Sequence, residues 1–135
     1  MEEKKTREVA EKLLREWADI LELDTSRGLY TDLVDELRMP VINNRLTFDV
    51  DTEIFSYQLI KPVDGKEIVQ IEECDYKAKK VLQSYTDKEG VLTAMKTISL
   101  YTDLSVTEVE LLKDRDRNHI TAVLMGFLAQ TAPGK

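Results

Sequence analysis

RLTFDVDTEIFSYQLIKPVDGKEIVQI, residues 45–71, is where the spacing of apolar residues changes from helical to alternating. Leu46, Phe48 and Val50 alternate with Arg45, Thr47 and Asp49, and Phe55, Tyr57 and Leu59 alternate with Ser56 and Gln58. Successive side chains of a strand point to opposite faces, so a period of two gives each strand one apolar face. The pattern predicts a hairpin turning near Asp51 and Thr52. Asp64-Gly65 marks a second turn, because glycine reaches positive φ without steric cost, and Ile68, Val69 and Ile71 follow as a third strand. The expected product is a small three-stranded antiparallel meander over residues 45–72, too thin to stand without helices against it.

Helical spacing flanks the meander on both sides. Val9, Leu13, Leu14, Trp17, Ile20 and Leu21 form one amphipathic pattern, and Leu29, Leu33, Val34 and Leu37 a second. Pro40 is expected to stop the second helix, since its ring disfavours a helical residue before it and it has no amide proton. These two elements make an N-terminal helix pair over residues 6–38. Beyond Cys74-Asp75, Tyr76, Ala78, Val81, Leu82 and Tyr85 return to helical spacing. Thr86-Asp87-Lys88-Glu89 reads as a capping box opening a helix to about Tyr101 that buries Val91, Leu92, Met95 and Ile98. Ser105-Val106-Thr107-Glu108 is a second capping box, opening a short helix through Val109 and Leu112. The charged link Lys113 to Asp116 leads to a last helix with Ile120, Val123, Leu124, Phe127 and Leu128 on one face. The expected fold class is α+β: an N-terminal helix pair, the meander, and a C-terminal helical group over residues 75–130, in a single domain 1–135.

A chain of 135 residues with 42% hydrophobic composition can bury a core without disulfide or metal staples. Its net charge of −7 repels phosphate backbones and points to proteins and cations as partners. Cys74 is the single cysteine, so no internal disulfide framework exists, and neither a secretory signal nor a membrane-spanning run is visible. A cytoplasmic location is the expectation.

The chemistry-bearing residues form no familiar constellation. Asp49, Asp51 and Glu53 imitate the start of a calcium loop, but Ile54 occupies the glycine position and Ile60 the closing glutamate position. His119 is the only histidine, and Cys74 is flanked by Glu72, Glu73 and Asp75, which disfavour a thiolate. No glycine-rich phosphate loop or nucleophile elbow is present. The expectation is therefore no catalytic residue, no cofactor and no metal. Ser105 to Leu128 also reads as helix, turn and helix, with Arg115, Arg117, Asn118 and His119 where a DNA-reading helix carries its base contacts. Asp114 and Asp116 interleave with those arginines and oppose that reading. Leu124, Met125, Phe127 and Leu128 are the candidate partner-binding residues, as an apolar strip for another helix; their structural alternative is packing on the helix from Lys88 to Tyr101.

The C-terminal half, LTAMKTISLYTDLSVTEVELLKDRDRNHITAVLMGFLAQ, resembles the tail assembly chaperones of contractile and other long-tailed bacteriophages. The matching stretches are Thr102-Asp103-Leu104-Ser105, Val109 to Leu112, Asp116 and Gly126-Phe127-Leu128, preceded by Leu59-Ile60-Lys61-Pro62, Glu67 to Ile71 and Asp75. The resemblance covers roughly Arg45 to Ala129. Asp103 stands where that family usually has glycine, and the helical segment Thr6 to Leu37 is longer than its typical N-terminus. The resemblance implies a non-enzymatic protein that coats the helical tape measure protein in the bacterial host until tail-tube subunits replace it. It implies no cofactor. Another helical phage protein and self-association are the other partnerships to consider, with neither nucleic acid nor a membrane expected.

Overall fold

The computed structural model describes residues 4–26, 28–73 and 90–128. Its elements are α1 (Arg7–Ile20), α2 (Gly28–Ile42), β1 (Leu46–Asp49), β2 (Ile54–Val63), β3 (Lys66–Ile71), α3 (Gly90–Tyr101), α4 (Val106–Glu110) and α5 (Asp114–Val123). A wider π turn, Leu124–Leu128, continues α5. The fold is α+β, with helices before and after a three-stranded antiparallel sheet in the order β1-β2-β3. The helical pattern from Tyr76 to Tyr85 and the capping box at Thr86–Glu89 lie outside the described residues, as does Cys74.

The meander forms as its alternation requires. Leu46 pairs with Tyr57 and Phe48 with Phe55, and Tyr57 pairs with Val69 on the other side. Leu46, Phe55, Tyr57, Val69 and Ile71 are buried on one face, while Thr47, Gln58, Ile68 and Gln70 point the other way and are exposed. At the first turn the Asp49 carboxylate accepts the amides of Asp51 (2.9 Å) and Thr52 (3.4 Å), so this acidic run organises its own backbone. At the second, Asp64 and Gly65 both have positive φ, and Val63 and Lys66 close a two-residue hairpin.

The helices cover the apolar face. Thr6 caps α1 by accepting the Val9 amide, and Ala10, Leu14, Trp17, Ala18 and Leu21 are buried. The buried stripe is rotated from the one expected: Val9 and Ile20 lie at the surface, and two alanines take the inner positions. Trp17 meets Phe55 edge-on at 5.9 Å between ring centroids, and Phe127 lies 5.1 Å from Phe55. This aromatic cluster joins α1, the sheet and the π turn in one core.

Pro40 does not end α2, contrary to expectation. The helix continues to Ile42 because Leu37, Pro40 and Val41 are all buried, and that packing outweighs one forfeited hydrogen bond near the helix end. It stops at Asn44, whose positive φ lets the Arg45 amide reach back to the Pro40 carbonyl and the Asn44 amide to that of Val41. Glu22 ends α1 in the same way.

The outer edge of β3 is strapped by the segment after α3. Thr102 bridges Ile71, the Glu72 amide donates to the Tyr101 carbonyl, and Asp103 accepts the Gln70 amide. Asp103 keeps negative φ, so glycine's conformational freedom is not required at this position. The capping box at Ser105 and Glu108 opens α4 as expected, and Glu108 also holds Lys66 of β3 at 3.0 Å.

Candidate functional site

β2 changes register in its second half. Gln58 pairs with Ile68 and Val63 with Lys66, so the four residues Leu59 to Pro62 stand opposite Glu67 alone. A bulge of this kind takes backbone groups out of the ladder, and Pro62 has no amide to contribute. Two amides freed at the bulge belong to Ile60 and Lys61. Both donate to Asp116: Ile60 to its two carboxylate oxygens at 2.9 and 3.0 Å, Lys61 at 3.2 Å. From the other side, the Arg45 guanidinium donates to the carbonyls of Gln58 (3.1 Å) and Leu59 (3.2 Å). The distorted segment is thus held by a carboxylate on its amides and a guanidinium on its carbonyls, both charge-assisted.

Asp116 is fully buried. It was expected in a charged link, but α5 already begins at Asp114, and Asp116 lies in its first turn. Residues 116, 120, 123 and 127 share one helical face, so Asp116 occupies the core-facing stripe of its helix. Its burial is offset by the two amides and by a third donor, the Tyr57 hydroxyl at 2.7 Å. Tyr57 Oη is also 2.8 Å from His119 Nδ1. Burial, then the Asp116 hydrogen bond, raises the Tyr57 pKa far above the ordinary phenol range, so the hydroxyl keeps its proton. That proton goes to Asp116, and His119 must therefore donate through Nδ1. Its Nε2 is left with a lone pair. Burial is the largest influence on the imidazole and lowers its pKa; Glu36 and Asp116 partly oppose this.

Above the network lies a hollow of about 340 Å³ between α2 and α5, bounded by Glu36, Met39, Pro40, Arg45, Arg115 and His119 among others. Among the described residues that line it there is no serine, threonine or cysteine, so none of them offers the imidazole a side-chain nucleophile. Among the described residues no group of three or more histidine, cysteine, aspartate and glutamate side chains is placed to hold a metal. No helix among them is long and apolar enough to cross a membrane.

The expected partner-binding residues divide. Leu124, Phe127 and Leu128 are inside, at 2%, 0% and 1% exposure, whereas Met125 is 54% exposed. Phe127 packs on Trp17 and Phe55, and Gly126 lies so close to α2 that an added Cβ would sit 2.2 Å from a Leu33 methyl. The strip is therefore not a surface in this structure, and Met125 alone of the four is available to a partner. The start of α5 is likewise engaged: Asp116 and His119 face β2, and Arg117 bonds Asp114 and the Leu112 carbonyl. Arg115 and Asn118 remain exposed there.

Periodicity and motif spacing alone do not mark the Asp116–Tyr57–bulge cluster as a unit. Its signals were present in Pro62 within a strand pattern and in an aspartate at core spacing with Ile120, Val123 and Phe127. Compared with protein-family models, with curated proteins and with solved structures, the chain matches none.

Proposed function

We propose that this chain is a tail assembly chaperone of a bacteriophage or prophage, a non-enzymatic protein that binds the tape measure protein in the bacterial cytoplasm. The observation that carries the reading is that several of the stretches on which the resemblance rests meet in space or at the core. Ile60 and Lys61 bond Asp116, Asp103 straps β3, and Phe127 closes the aromatic core. Short motifs made of common residues gain weight when each has a structural task at a junction between elements. A helical client suits a protein whose remaining exposed apolar residues include methionines on helices, because methionine adapts its shape to varied partners.

The DNA-binding alternative is disfavoured by the same geometry. A groove-reading helix needs the side chains of its first turns free, whereas here Asp116, Arg117 and His119 have partners within the protein. The overall charge of −7 adds long-range repulsion. Co-expression with the tape measure protein tests the proposal: the soluble yield of that protein should rise and the two should co-purify. Unchanged yield with no co-purification would refute it.

A further inference from the structure

The seam between α2 and α5 is a groove with charge at its two ends. Asp32 shares one hollow with Met125, Arg115 shares the other with Asn43, and Glu36 belongs to both, so the helices run antiparallel along one continuous depression. The eleven helical residues from Asp32 to Ile42 span roughly 16 Å, about three turns. Leu33, Ala122, Pro40 and Ile60 line the depression. Met39 and Met125 stand at the surface, each more than half exposed. The Asp32 end is acidic and the Arg115 end basic. Asp32, Glu36 and Arg115 have no salt-bridge partner among the described residues.

We infer that this groove receives an amphipathic helix of about three turns, with its apolar stripe on Met39 and Met125. Its basic side chains lie against Asp32 and Glu36 and its acidic ones against Arg115. Charge complementarity selects this occupant: a uniformly basic or acidic helix would meet a like charge at one end, and like-charge juxtaposition opposes binding. The inference deepens the functional reading and rests on it for the client's identity; the groove and its charge order stand on the geometry.

Hydrogen peroxide footprinting with mass spectrometry tests it on the full chain, alone and with the tape measure protein. In the free chain Met39 and Met125 oxidise faster than the partly buried Met95, and in the complex both are protected about tenfold. Glu36→Lys and Arg115→Glu, at exposed positions, each weaken client retention about tenfold, while Ile68→Asp on the opposite face of the sheet leaves it unchanged. A complex in which both methionines oxidise at the free rate, or one insensitive to both charge reversals, overturns the inference and leaves the functional reading standing. No complex with the unaltered chain overturns the functional reading and, with its client gone, the inference as well.

Discussion

The N-terminal and C-terminal helices pack on the same sheet but use charge in opposite ways. Between α1 and α2, Glu11 accepts from Arg38 at 2.8 Å and from Arg7 at 3.3 Å, at a surface where water can replace either partner. Between α5 and β2, Asp116 is sealed from water and accepts from two amides and a phenol. The first arrangement adorns a junction that apolar packing already makes. The second is part of the junction, because the bulge has no other acceptor for those amides in the sheet ladder. Two carboxylates of similar appearance in the sequence thus differ in consequence, and the difference is burial.

The sharpest way to break this comparison is Asp116→Ala. It leaves the Ile60 and Lys61 amides and the Tyr57 hydroxyl without their acceptor, and should lower unfolding free energy by about 3–5 kcal/mol in urea melts. Asp114→Ala, two residues away and exposed, should change it by no more than about 0.5 kcal/mol. Equal effects at the two positions would erase the distinction. Gly126→Ala comes next: the new methyl must displace the buried Leu33 side chain, and about 1–2 kcal/mol should be lost.

The pH dependence sharpens the contrast further. His119 has a lowered pKa when folded, so the unfolded chain binds its proton more readily. This group's contribution is complete above about pH 6.5. It is lost progressively as pH falls from there toward the folded value. His119→Gln should flatten that part of a stability–pH profile, and NMR titration of the single imidazole should give a midpoint below the ordinary histidine value. The smallest effect belongs to the surface junction. Glu11→Gln should produce a slight drop in melting temperature that disappears in about 1 M salt, where surface charges are screened. The Asp116→Ala deficit should persist in the same salt.

The sequence made the meander legible because one face of each strand is buried and the other is wet, which writes burial directly into alternation. The Ser105 capping box was legible because its two hydrogen bonds are local. The bulge was not, since register depends on the facing strand, and alternation beyond Leu59 no longer reported which side was inside. Pro40 misled because a local rule about its neighbours was outweighed by burial of Leu37 and Val41. The last helix was ambiguous for a related reason: Leu124, Phe127 and Leu128 have the spacing of either a core or an interface, and only their position over Trp17, Phe55 and Leu33 separates the two. The groove charges were invisible as a group because α2 and α5 are remote in sequence.

Native-state hydrogen exchange at Ile60 and Lys61 tests most directly whether Asp116 holds the bulge and thereby docks the C-terminal helices. Both amides should be protected in the unaltered chain. In Asp116→Ala they should exchange about a hundredfold faster relative to the paired Val69 amide, reflecting a local loss beyond any global destabilisation. Protection at Ile60 and Lys61 that changes only in step with Val69 would contradict the account.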